Sequence, residues 1–229
     1  MKFIGLEDVR LFRWEGQLYY CGVRRDVKDN GEGRMELCKL DVRPDGVYEA
    51  TRERIEVDPH THLEKNWMPV LDMPFHFIRW CDPLEIMKVN PNDKSKQNVA
   101  KGDIDIISSE ISITKNKQLD LPFGLRGSSQ VLPFGDNGDR ICVTHETNFY
   151  NHQNRKKDAQ YYHRFVIWDK DWNFKKVSKQ FKFMDAMIEF ACGMVIKDDC
   201  LIISFGFQDN AAHLLKMPIK LLDELEWES

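Results

Sequence analysis

The sequence predicts an all-β chain made of four similar segments, and three observations carry that prediction. Short runs of Val, Ile, Phe, Tyr and Trp alternate with polar residues throughout the chain. Turn chemistry interrupts these runs at "WEGQ", "RPDG", "GDNGD" and "KDD". Helical periodicity is scarce, the one amphipathic stretch being the C-terminal "MPIKLLDELEW", in which Leu221, Leu222 and Leu225 are expected to face one way.

The four segments share one plan. They are "LEDVRLFRWEGQLYYCGVRRD" from Leu6, "EKNWMPVLDMPFHFIRWCDP" from Glu64, "LRGSSQVLPFGDNGDRICVTHE" from Leu125 and "MIEFACGMVIKDDCLIISFGFQD" from Met187. Each opens on a polar or charged entrance, runs through a short apolar strand, turns, and returns through a second apolar strand to a polar exit. With Glu7, Lys65, Gly127 and Glu189 as equivalent points, the intervals are 58, 62 and 62 residues. So regular a spacing marks an array in which each repeat buries its face on its neighbours. Four-stranded sheets of this size fit the blades of a β-propeller better than a solenoid. A β-sandwich is the alternative, but its turns would be more closely spaced. The expected organisation is a single domain over 1–229 with about four blades, at 6–60, 64–120, 125–182 and 187–229. "RMELCKLDV", "DPLEIMKVN", "YYHRFVIWD" and "AHLLKMPI" supply outer strands.

Composition excludes several classes of function. The net charge is −4 with 31% charged residues of both signs, so neither a nucleic-acid surface nor a strongly acidic ligand is expected. Arg155-Lys156-Lys157, inside the polar run "NHQNRKKDAQ", reads as a solvated loop tip. The six cysteines lack any C-x-x-C pair and mostly lie in apolar runs, the usage of buried reduced thiols. No apolar run of eighteen residues appears, so a soluble, cytoplasmic chain with no membrane partner is expected. His60 and His62 in "DPHTH" lack a third ligand at a recognisable spacing, and no metal is expected there.

The repeat also orders the charges. In an antiparallel hairpin the start of the first strand and the end of the second lie at the same edge of the sheet. If these hairpins are the inner strands of the blades, every entrance and exit falls on one face of the ring. That face collects Glu7, Asp8 and Arg10 with Arg24, Arg25 and Asp26, and Lys65 and Asn66 with Arg79 and Asp82. It also collects Arg126 with His145 and Glu146, and Glu189 with Asp209. Convergent polar groups in a concave mouth are the usual make-up of a small-molecule site. Trp67 and Trp80 are candidates either for stacking on sugar rings or for packing between blades.

Taken in order, "GLEDVRLF", "EKNWMPV", "LRGSS", "YYHRF" and "IEFACGM...LIISFGFQDNAA" resemble the five-bladed β-propeller family of the β-mannoside phosphorylases and their relatives, including propeller-type mannosyltransferases. The resemblance runs through nearly the whole chain. It implies a carbohydrate-active protein that acts on a β-mannoside-like oligosaccharide by glycosyl transfer or phosphorolysis, with no cofactor and with phosphate or a nucleotide sugar as co-substrate. It implies that Asp8 is the proton donor, with Glu7 and Arg10 orienting it and the sugar. Arg25, Lys65, Asn66, Arg79, Arg126, His145 and the run Tyr162-His163-Arg164 would be the anion and sugar contacts, and Glu189 and Asp209 later carboxylates of the same mouth. Val9 stands where the family's Glu-Asp-Pro-Arg motif has proline. The family also carries a full blade before that motif, so the chain is expected to be a fragment of a longer reading frame, a four-repeat ring, or an open one. The alternative function is a non-catalytic glycan-binding or accessory module that works with a separate glycosyltransferase.

Overall fold

The computed structural model describes residues 5–25, 30–99, 102–121, 124–151 and 157–228, so Asp26, Arg155 and Lys156 lie outside the described residues. The chain is nearly all β and divides into two compact units. Unit 1 takes in residues up to Arg79 together with Leu84–Thr114, and unit 2 takes in Trp80–Pro83 with the chain from Lys115 onward.

Unit 1 is one eight-stranded sheet made of two meanders. The first consists of β1 (Leu6–Trp14), β2 (Gln17–Arg24), β3 (Arg34–Arg43) and β4 (Gly46–Glu56), each antiparallel to the next. The second consists of β5 (Met68–Pro69), β6 (His76–Cys81), β7 (Leu84–Val99) and β8 (Gly102–Lys115), which lie side by side in that order. The last strands of the two meanders join in parallel, Glu53–Glu56 of β4 against Asp105–Ser108 of β8. Turn chemistry acts as expected at β1–β2, where Glu15 and Gly16 both take positive φ, the backbone a tight hairpin requires.

Phe12, Trp14, Met35, Leu37, Trp67 and Phe77 lie in the core of this unit. Trp14 donates its indole N–H to the Val70 carbonyl at 2.8 Å and packs edge-on to Phe77 at 5.2 Å. Burying a ring of that size contributes on the order of 5 kcal/mol before conformational entropy is subtracted. Trp67 is thereby a core residue, whereas Trp80 is 41% exposed.

Unit 2 holds two sheets. The first comprises β9 (Arg126–Gly127), β10 (Leu132–Phe134), β11 (Asp139–Asn151), β12 (Lys157–Trp168) and β13 (Phe174–Ser178), with β9 and β10 both pairing along β11. The second is the meander of β14 (Glu189–Lys197), β15 (Cys200–Phe207) and β16 (Ala211–Pro218), whose first turn places Asp198 and Asp199 at positive φ. A final short strand, β17 (Trp227–Glu228), returns to pair with β13.

The C-terminal Leu-rich stretch differs from the amphipathic helix that its spacing predicts. It forms a six-residue 3₁₀ helix, Ile219–Glu224, which buries Leu222 and leaves Leu221 42% exposed. Three residues per turn cannot bring Leu221, Leu222 and Leu225 to one face, and the chain extends again at Leu225 to reach β17. Among the described residues no helix is long and apolar enough to cross a membrane. All six cysteines are free thiols, and Cys21, Cys38, Cys81 and Cys142 are buried.

Candidate functional site

In unit 1 the entrance of β1 is shaped by a bulge. Glu7 pairs with Val23 and Arg10 with Cys21, so Asp8 and Val9 together face the single residue Gly22. Asp8 takes φ 54, a left-handed conformation that aspartate tolerates better than most side chains. Such a bulge re-aims the side chain it carries. Gly22 makes room for it, because a Cβ there would meet the Glu7 carbonyl oxygen at 2.9 Å. Arg10 is fully buried and donates from Nη1 to the Asp8 carbonyl at 2.7 Å, which pins the bulge from the core side.

The same end of the sheet carries a group that the strand pattern does not single out. Glu36 on β3 is fully buried, with Arg52, Arg54 and Arg24 at 3.5, 3.6 and 4.0 Å. Neither of its oxygens, nor Arg54 Nε, makes a hydrogen bond among the described residues. Burial pushes the Glu36 carboxyl above its ordinary range in spite of the three guanidinium groups. Its signal in the sequence is a run of arginines at alternate positions, Arg52 and Arg54, across from a lone glutamate. Arg25, half-buried, donates to the Gly31 carbonyl at 3.4 Å.

Lys65 and Asn66 precede β5. Lys65 is half-buried, and Asn66 is buried at φ 63 with its side-chain carbonyl lacking a partner among the described residues. Arg79 is buried against Glu64, with Nε and Nη2 at 3.0 and 2.7 Å from the two carboxylate oxygens.

In unit 2 the register pairs Arg126 with His145, and the exposed Arg126 lies 6.0 Å from the Phe149 ring. His145 is buried with Nδ1 2.9 Å from Ser128 Oγ, stacks on Tyr161 and meets Phe190 edge-on. Tyr162 is half-buried, with Lys182 Nζ 5.3 Å from its ring centre. Arg164 is buried, paired with Glu146 through Nε and bonded to the Ser178 carbonyl at 2.8 Å; Gln180 also donates to Glu146.

His163 is fully buried with both ring nitrogens unpartnered among the described residues. It lies 4.5 Å from the Phe183 ring and 5.9 Å from Phe181. Desolvation lowers its pKa from 6.5 to about 3, so it is neutral in the fold. As pH falls from about 6.5 to about 3, the unfolded chain binds a proton that the native chain refuses, and stability falls over that window. The slope is at most about 1.4 kcal/mol per pH unit. His163→Phe is expected to raise stability at neutral pH by about 1–2 kcal/mol and to flatten that acid limb. Urea unfolding at pH 7 and pH 5 reads both effects.

Glu189 opens β14 and is fully buried. Its carboxylate accepts from the backbone N–H groups of Phe183, Met184 and Ala186 at 2.6, 2.9 and 2.8 Å, tying the preceding loop to the strand. Glu189→Ala leaves three amides without an acceptor and is expected to cost about 3 kcal/mol. Hydrogen exchange at those three amides should speed up first. Asp209 is exposed at φ 52 in the β15–β16 turn, at the same end of the sheet as Glu189 because Glu189 pairs with Phe207.

Two kinds of group therefore stand among the candidates. Asp8, Glu7, Lys65, Arg126, Tyr162 and Asp209 keep some exposure, while Arg79, Arg164 and Glu189 already satisfy partners inside their own units. These features define a nearly all-β protein with a strained acid at a strand entrance.

Comparison with known proteins narrows the fold further. The chain shares its fold with MPT-4, a mannose phosphorylase from Leishmania mexicana solved in complex with a phosphate ion. The match covers 98% of this chain and 71% of that one, with a TM-score of 0.51 and 14% identity. A lesser likeness, with a TM-score of 0.46 and 15% identity over 93% of this chain and 68% of the other, is to MPT-1, a GDP-Man-dependent mannosyltransferase from the same organism. No family model and no curated protein matches the sequence.

Proposed function

We propose that the chain is a carbohydrate-active β-propeller whose meanders are blades, and that it moves a mannosyl-type sugar with Asp8 as the proton donor. The observation that carries this reading is the left-handed bulge at Asp8, held by the buried Arg10, in a chain with the fold of a mannose phosphorylase. Backbone strain of this kind persists where the surroundings impose it, and it collects at working sites.

The chemistry needs one acid and one nucleophile. The Asp8 carboxyl gives its proton to the leaving glycosidic oxygen as the bond from that oxygen to the anomeric carbon breaks. A phosphate oxygen forms the new bond to that carbon from the opposite face, and the Asp8 carboxylate regains its proton from solvent. Lys65, half-buried and in the same unit as Asp8, is the candidate to hold the anion. Arg79 and Arg164 are engaged by Glu64 and Glu146.

That engagement favours a second reading, a glycan-binding module without phosphate chemistry. The test is to incubate the protein with mannosides plus phosphate, and separately with GDP-mannose and mannose acceptors, and to assay mannose 1-phosphate and chain extension. Turnover in either supports the enzyme. Glycan binding with no turnover from any donor replaces it with the binding module.

A further inference from the structure

A second feature of unit 1 lies away from the β1 entrance. An open cleft of about 600 Å³ runs between the loop before β6 and the β7–β8 hairpin. Its apolar lining is Pro74, Phe75, Val89 and Pro91. Phe75 leans on Trp14 at 5.3 Å and on Tyr19 at 6.1 Å, so the cleft sits at the turn end of the β1–β2 hairpin. Asp8 is six residues back along β1 from Trp14, about 20 Å at the rise of an extended strand.

Two observations mark the cleft as built. Phe75 takes φ 63, an outlier for a bulky side chain. The strained residue is held by Val89 N donating to its carbonyl at 2.8 Å, and the neighbouring His76 N bonds the Met73 carbonyl at 3.1 Å. Strain of this kind persists where the surrounding structure imposes it.

The second observation is the polar lining. Ser108 Oγ donates to Asp93 Oδ2 at 2.6 Å, and the Asn92 backbone N–H bonds Asn90 Oδ1 at 3.1 Å, which orders these polar groups of the lining. The Asn92 side-chain amide, Lys88 and Glu110 line the same cleft and are exposed.

The lining chemistry selects the ligand. One lysine against Asp93 and Glu110 leaves an acidic excess, which disfavours phosphate or any anionic ligand. A lining of amides, hydroxyls and carboxylates together with aromatic and proline rings suits a neutral, many-hydroxyl molecule with one apolar face.

We propose that this cleft binds a neutral oligosaccharide, as a second carbohydrate contact separate from the Asp8 entrance. The proposal concerns binding alone and stands whether or not Asp8 acts as an acid. Mannotriose and cellotriose, with a trigalacturonate control, are titrated into the ¹⁵N-labelled protein while amide shifts are followed. Shifts at 88–93 and 108–110 with a neutral trisaccharide are expected. The double variant Asn92→Ala/Glu110→Ala, at exposed positions, should keep its spectrum elsewhere and bind at that cleft about ten-fold more weakly. Shifts confined to residues 7–10, no shifts with either neutral sugar, a preference for the trigalacturonate, or unchanged affinity in the variant would each overturn the proposal.

Discussion

Asp8→Asn is expected to lower kcat/KM for an unactivated mannoside by about 10²–10⁴-fold, the usual share of a positioned general acid. Stability should move by less than about 1 kcal/mol, because asparagine tolerates the left-handed backbone as well as aspartate does. The bulge itself is held through the Asp8 carbonyl by Arg10, and that bond survives the substitution. A substrate whose leaving group is a nitrophenolate needs no proton, so the loss should shrink sharply with it. A structural role would depress both substrates alike. Equal losses on the two substrates, or no loss on either, would remove Asp8 from the reaction. Asp8→Ala is the weaker test, since it places alanine at φ 54 and mixes backbone strain with lost chemistry.

The sequence made part of this architecture legible because turn chemistry and apolar alternation are local signals. Glu189 opens β14, whereas Gly127 ends the two-residue β9 and Lys65 precedes β5 outside any strand. The phase of β1 misleads at its start. Val9 and Leu11 are the apolar residues, yet they are 41% and 55% exposed, while Arg10 between them is buried. Phe12 and Trp14 set the inward phase because their rings fill the core, and the bulge one step earlier absorbs the mismatch. The parallel joining of β4 to β8 has no local signature, since it pairs residues about fifty positions apart. The same holds for buried charges. Glu64 and Arg79, or Glu146 and Arg164, look like solvated strand ends until the fold brings each carboxylate to its guanidinium.

Arg79→Ala is expected to destabilise unit 1 by about 3–5 kcal/mol, the cost of stranding one member of a buried ion pair. Arg79 gives Nε and Nη2 to Glu64, Nη1 to Glu85 at 2.8 Å and Nη2 to the Pro59 carbonyl at 3.0 Å. Glu64 in turn accepts from Thr61 N and Oγ1 at 2.6 and 2.9 Å and from the Trp67 indole at 3.2 Å. Burial alone would push the Glu64 carboxyl up, but the guanidinium and the Thr61 donors hold it below its ordinary range. The sign of the pH dependence follows. In the wild type this pair's contribution is complete above about pH 4.5 and is lost as pH falls through the depressed pKa. Without Arg79 only the Thr61 donors still oppose the desolvation, so the variant's carboxyl is protonated more readily. Its deficit against the wild type should therefore narrow as pH drops below about 5. Arg79→Lys should fall between the two, since an ammonium cannot bond both oxygens in the guanidinium's planar geometry. Urea unfolding of the three proteins at pH 7 and pH 4 measures this. A deficit near zero at pH 7 would show that the pair is not structural and would free Arg79 to contact an anion.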